Sequence, residues 1–233
     1  MKSSYFCAAT VTALALAVSG SALAQSTTLK LGLVSIEPHS SATPMAGPFT
    51  PVDALGLKVQ SRSTLFFSAA REINSQWEIE LALGIPPTHD VSLVVLNAAA
   101  VPGSVAALDG GVAAKVRQVA PTLFANYRFG DATSGLRPFV GVGLNYTTFD
   151  KTESTPLNDA VNGGPTNIKL KDSVGLALQL GLTYQLGGPW SLTGAWSTAK
   201  VKTKLTTNTL GIERTSDITF SPSVLTLAVG YSF

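Results

Sequence analysis

Between Val174 and Leu186 every second residue is large and apolar: Val174, Leu176, Leu178, Leu180, Leu182, Tyr184 and Leu186. The residues between them, Gly175, Ala177, Gln179, Gly181, Thr183 and Gln185, are small or polar. Successive side chains of a β-strand point to opposite faces, so strict period two predicts a strand with one bulky face and one small face. The C-terminus repeats the pattern, with Leu225, Leu227, Val229, Tyr231 and Phe233 set against Val224, Thr226, Ala228, Gly230 and Ser232. In 137–149, Val140, Val142, Leu144 and Tyr146 alternate with Gly141, Gly143, Asn145 and Thr147. In 77–85, Trp77, Ile79, Leu81, Leu83 and Ile85 alternate with Glu78, Glu80, Ala82 and Gly84. Similar readings over roughly 28–37, 55–73, 115–129 and 190–204 complete a set of eight predicted strands.

The connections alternate in length. Residues 74–76, 130–135 and 187–189 are short turns, whereas 38–54, 86–114, 150–172 and 205–216 are longer. Short turns at one end and long loops at the other are what an antiparallel transmembrane barrel requires. With eight strands the first can pair with the last, leaving no unsatisfied edge in lipid. The predicted fold is therefore all-β, an eight-stranded antiparallel transmembrane β-barrel with short periplasmic turns and long extracellular loops. Trp77, Tyr127, Phe129, Tyr184, Trp190, Tyr231 and Phe233 all lie beside a short turn or the C-terminus, on the bulky face. Rings gathered at one membrane interface form a girdle. A soluble β-sandwich alternates in the same way, but it has no reason to collect aromatics at one end. The bulky face is assigned to lipid and the small face to the lumen.

Composition supports this reading. Charged residues make up 13% of the 233, about half the usual share, and mean hydropathy is +0.28. A net charge of +2 gives no basis for a nucleic-acid partner. Residues 1–24 combine Lys2, an apolar stretch from Tyr5 to Val18 and Ala22-Leu23-Ala24. They read as a cleaved secretory signal peptide, with the barrel in 25–233. The single cysteine, Cys7, falls inside that segment. No later run of eighteen apolar residues predicts a transmembrane helix.

The segments "RPFVGVGLNYTTFD" (137–150), "APTLFANYRFGDA" (120–132), "PPTHD" (86–90), "KLKDS" (169–173) and "VGYSF" (229–233) resemble, in order, the OmpW family of bacterial outer-membrane proteins. The resemblance implies a barrel in the bacterial cell outer membrane with a narrow, largely apolar interior. It also implies outer-membrane lipid and small hydrophobic solutes as partners, the barrel being associated with passage of such molecules. The terminal Phe233 resembles the aromatic that outer-membrane barrels present to their assembly machinery. The long loops depart from the family pattern, the second most of all.

Eight strands enclose a lumen only just wide enough for side chains to fill, which argues against a general water-filled porin. Phe66, Phe124, Phe139 and Phe220 point inward by parity and are candidate lumen-lining residues. Trp196 is either a lumen constriction or an outer anchor. Its parity with Trp190 and Leu192 favours outward and a bulge would turn it in; it is entered with the lumen residues on that condition. Glu72, Glu78, Glu80, Arg128 and Arg137 also point inward, all within about 13 Å of the short-turn end at strand rise. Opposite charges on neighbouring strands in a confined lumen should pair, which predicts a polar floor at the periplasmic end. A hydrophobic solute would then leave sideways, between strands.

The stretch 91–112 holds one charge, Asp109, in twenty-two residues, so it is either a greasy entrance or a segment packed on its own barrel. The two histidines, His39 and His89, form no recognisable nucleophile–base pattern, and no metal-ligand spacing or phosphate loop is present. Neither catalysis nor a cofactor is predicted. The competing class is a receptor or structural barrel, whose loops bind phage, toxin or host surfaces around an inert lumen.

Overall fold

The computed structural model describes residues 26–43, 45–48 and 53–233. The predicted signal segment, with Cys7, lies outside the described residues. Fifteen strands occur among those described: β1 Thr27–Glu37, β2 Ser40–Ala42, β3 Leu55–Val59, β4 Arg62–Glu72, β5 Trp77–Gly84, β6 Thr88–Val95, β7 Val112–Val119 and β8 Thr122–Arg128. They continue with β9 Leu136–Ser154, β10 Thr166–Leu170, β11 Ser173–Gly187, β12 Trp190–Ala199, β13 Val201–Thr209, β14 Ile212–Phe220 and β15 Ser223–Ser232.

Eight of these close a barrel in the order β1–β4–β5–β8–β9–β11–β12–β15, with β15 returning to β1. Every pairing is antiparallel. The period-two pattern sets the two faces. Leu176 on β11 is 74% exposed while its neighbour Ala177 is 1% exposed. On β1, Leu29, Leu31 and Leu33 are exposed while Lys30 and Val34 are buried. In water this arrangement would be inside out. In a bilayer the exposed leucines meet acyl chains and the closed strand order leaves no wall strand without a partner on either side.

The long connections are largely strands rather than loops. The upper half of the 19-residue β9 pairs with β7, and the sheet continues through β6 to β3. A second sheet runs β10–β13–β14–β2. Val91 and Ala114 from the first pack against Ile168, Leu205 and Ile218 from the second, so the two form a crown beyond the lipid-facing wall. The predicted strands 55–73, 115–129 and 190–204 each break where the chain changes neighbour, between β3 and β4, β7 and β8, and β12 and β13. At the second break Pro121 has no N–H to continue a ladder. The apolar stretch 91–112 is part of this crown: Val91 and Leu93 are buried in it, and only Leu96 among its large residues is strongly exposed. Its short helix, Gly103–Ala106, covers part of the sequence assigned to a loop.

Candidate functional site

The floor is built from side chains that alternate inward near the short turns. Lys30 on β1 is 5% exposed and Glu80 on β5 is 3% exposed. The Lys30 ammonium lies 3.0 Å from Glu80 Oε1 and 3.6 Å from Glu78 Oε1. Ser68 Oγ donates to Glu80 Oε1 at 2.6 Å. Asn126 Nδ2 donates to both carboxylates, at 3.1 Å to Glu78 and 3.0 Å to Glu80, and Gln179 Nε2 donates to Glu80 Oε2 at 3.2 Å. Arg128 bridges Glu72 at 2.6 Å and Glu78 at 3.4 Å. Two cations (Lys30, Arg128) thus pair with three carboxylates (Glu72, Glu78, Glu80), and with Asn126 and Gln179 they tie strands together across the lumen. Buried charges are tolerated only when paired and hydrogen-bonded in this way.

Arg137 behaves differently from the pairing expected of it. Its guanidinium donates to the carbonyls of Ser75 at 2.6 Å, Gly130 at 3.4 Å and Phe129 at 3.5 Å. It therefore fastens two short turns and makes no hydrogen bond to a carboxylate. Lys30, Ser68, Asn126 and Gln179 were missed by the sequence reading. For Lys30 the signal was present, since it alternates with Leu29 and Leu31.

Above the floor lie two cavities. The inner, of about 140 Å³, is lined by Phe66 and Phe124 with Ala177, Asn145 and Thr226. The outer, of about 220 Å³, lies within the crown between Leu57, Val91, Leu93, Ile168, Leu205 and Phe220. Ile36, Gln118, Val201 and Pro222 line both, so these four form the boundary, or neck, between the adjacent cavities. Each is in the size range, roughly 150 Å³, of a dry apolar cavity that takes a single aromatic ring.

The five aromatics that are candidates for the lumen separate into four environments. Phe66 and Phe124 face the inner cavity. Phe139 is buried over the floor, where its ring centroid is 6.0 Å from the Lys30 ammonium, a cation–π geometry. Gly181 makes room for it: a Cβ there would sit 2.5 Å from Phe139 Cζ. Phe220 belongs to the crown on β14 and lines the outer cavity, beyond the wall strands. Trp196 is not a lumen residue. It is in register with Leu180 and Leu225, both exposed on the lipid face, and its indole N–H donates to Ser223 Oγ at 2.7 Å. No register shift turns it inward, because the irregularity in this hairpin falls at Gln185/Gly187.

The wall beside the inner cavity is incomplete. β5 pairs with β8 only from Trp77↔Tyr127 to Ala82↔Thr122. Beyond that rung the next bond across is Gln118 N–H to the Pro87 carbonyl, 3.2 Å. Pro86, Pro87 and Pro121 fall in the gap and have no N–H to bridge it. The inner cavity is lined there by inward Gly84 and also by Leu83 and Ile85, which alternate to the lipid face. The stretch of wall beside the inner cavity therefore lacks backbone rungs.

His89 lines the outer cavity and donates from Nδ1 to the Gln60 carbonyl at 3.0 Å. Burial holds its imidazole below the ordinary histidine range, and the nearby Arg62 acts in the same direction. His39 is exposed and takes part through its backbone, its carbonyl accepting from Ser221 N–H at 2.8 Å. At the opposite end of the barrel, Trp77–Tyr127 (5.3 Å), Tyr127–Phe129 (5.1 Å) and Trp190–Tyr231 (5.0 Å) pack edge to face. They mark the inner membrane interface.

A closed eight-stranded wall with a lipid-facing apolar band, a ring girdle and an internal polar plug defines a bacterial outer-membrane β-barrel. The sequence profile of the OmpW family matches residues 26–233, and the chain belongs to that family. Outer membrane protein W of Vibrio cholerae is 30% identical over 166 residues, covering 69% of this chain and 76% of that protein. The crystal structure of the outer membrane protein OprG from Pseudomonas aeruginosa superposes with a TM-score of 0.77 at 26% identity, covering 90% of this chain and 96% of that one. The solution structure of the Escherichia coli outer membrane protein W gives 0.54 at 25% identity, covering 89% and 97%.

Proposed function

We propose that the barrel passes small hydrophobic molecules from the outside into the outer membrane, through the outer cavity, the neck, the inner cavity and the gap between β5 and β8. One observation supports this reading: the inner cavity lies over an ion-paired floor and beside a stretch of wall without backbone rungs. A greasy solute cannot replace the hydrogen bonds of Glu78 and Glu80, whereas the gap delivers it to acyl chains. The path is too narrow for a general porin.

The test is uptake of a small lipophilic fluorescent probe by cells with and without the protein. Two variants accompany it: Phe66→Trp with Phe124→Trp to fill the inner cavity, and Gly84→Phe to fill the gap. A Cβ at position 84 would meet the Leu65 carbonyl at 3.3 Å, a tight contact, so this variant counts only where gel mobility shows it folded. Faster uptake with the native barrel, lost in both variants, is expected. Equal uptake by native and filled barrels, all folded and inserted, would overturn the proposal and favour a receptor with an inert lumen.

A further inference from the structure

The outer edge of the lipid-facing band can be placed from the strands. On β11 the outward side chains run from Tyr184, beside the inner girdle, to Val174. Ten residues span about 33 Å of strand, or about 25 Å once tilted by roughly 40°, the height of an apolar belt in such barrels. Val174, with Tyr146 directly opposite it on β9, therefore marks the outer lipid boundary, while Trp196, in register with Leu180, lies near the middle of the band.

Immediately beyond that edge stand Lys169 and Lys171 beside β10, and Lys202 and Lys204 on β13, all exposed. They share one face, since the alternate residues Ile168, Val201 and Leu205 are buried in the crown. Leu170 pairs with Leu205, and Lys171 N–H donates to the Lys204 carbonyl at 3.2 Å. Lys171 and Lys204 are thus neighbours across the ladder, an arrangement that destabilises a sheet unless an anion intervenes. Of the four, Lys204 alone lies near a carboxylate among the described residues, Asp217 at 3.7 Å. Asp172, the other acid at this level, accepts from the Tyr146 hydroxyl at 2.8 Å. On the opposite side of the crown the cations have carboxylates at hand: Arg62 pairs with Asp90, Arg117, which stands opposite Lys151, pairs with Asp150, and Lys115 stands opposite Glu153.

We propose that the outward face of β10 and β13 docks the phosphate-bearing headgroups of outer-leaflet lipid. The face carries an excess of cations, it begins where the acyl belt ends, and lysine stems are long enough to reach down to the headgroup plane. Multivalent attraction of clustered lysines to anionic lipid falls off within a Debye length, so only headgroups at this level qualify.

The protein in phosphatidylcholine bilayers containing a small fraction of bisphosphorylated lipid A provides the test, with protein-bound lipid counted by native mass spectrometry. Native protein should enrich lipid A about tenfold over a variant with all four lysines changed to glutamine. The four-arginine variant should keep the enrichment, and native protein should not enrich dephosphorylated lipid A. Equal retention of both lipid A forms by native protein would overturn the proposal without reference to any variant. So would full displacement of bound lipid A by millimolar inorganic phosphate, which would show a simple ion site.

Discussion

Lys30→Met probes the floor most directly. The side chains of Lys30 and Glu80 are 5% and 4% exposed, so solvent screens their interaction poorly. Removing one partner of a buried pair typically costs about 3–5 kcal/mol, because the other charge is left uncompensated. Here Glu80 keeps its bonds from Ser68, Asn126 and Gln179, and Glu78 keeps Arg128. That places the expected loss at the lower end, about 3 kcal/mol. The double variant Lys30→Met with Glu80→Gln removes both charges and leaves an amide that still accepts from Ser68. It should lie within about 1 kcal/mol of native, since a buried pair exchanged for neutral groups is often close to neutral in cost. The coupling between the two positions is then about 2 kcal/mol or more.

Equilibrium unfolding by guanidinium in lipid vesicles, followed by tryptophan fluorescence and by the gel mobility of the folded barrel, measures all three differences. Strictly additive single-variant costs would refute the reasoning. So would a Lys30→Met loss below 1 kcal/mol, because the ammonium would then contribute nothing beyond filling space.

Gly181→Ala should destabilise by about 1–3 kcal/mol through overpacking, since its Cβ would meet Phe139 Cζ at 2.5 Å and the Gly194 carbonyl at 2.6 Å; Gly194→Ala, with nothing within 4 Å, should leave the unfolding midpoint almost unchanged. For His89, burial lowers the folded pKa, while the unfolded side chain titrates near 6.5. The neutral ring therefore contributes crown stability that is complete above about pH 6.5 and is lost as pH falls through the lowered folded value. Hydrogen-exchange protection in β3 and β6 should weaken between pH 7 and 5 in the native protein and stay flat in His89→Gln; identical profiles would contradict the assignment. With Trp77 and Trp190 changed to phenylalanine, the remaining Trp196, in register with mid-band Leu180, should be quenched by lipids brominated along the acyl chain, and absence of quenching would return it to the lumen.

Most of the barrel was legible because the bilayer imposes a two-residue code. Leu176 and Ala177 differ so strongly in exposure that parity alone assigns the faces, and closure follows from eight strands. The crown was less legible. β13 and β14 alternate as cleanly as the wall, with Val201, Thr203, Leu205, Thr207 and Thr209 turned inward. Threonine does most of this work there, and it reads as a loop residue where apolar neighbours are as sparse as Val201 and Leu205. Nor can periodicity show a change of partner, so single predicted strands spanned the breaks at Gln60, Ala120 and Lys200. The floor was partly legible: parity turned its carboxylates inward, but the neutral residues that complete it, Ser68, Asn126 and Gln179, look like any other small-face position. Arg137 was read as an ion-pair member because sequence cannot reveal three backbone carbonyls converging from two turns.

The same floor bears on both stability and route. A solute leaving downward must separate Lys30 from Glu80 and strip Asn126 and Gln179 from their carboxylates, and exposing even one such charge in a dry lumen costs about 3–5 kcal/mol. A solute leaving sideways meets a stretch of wall that has no ladder to break, because the β5–β8 rungs already stop at Ala82↔Thr122. Each methylene it moves from water into lipid gains about 0.8 kcal/mol, so the lateral route is downhill for the solutes the cavities fit. Weakening the floor should therefore change ion leakage before it changes uptake of an apolar probe. Filling the gap at Gly84 should do the reverse, and finding both effects in one variant would mean that the two routes are not separate.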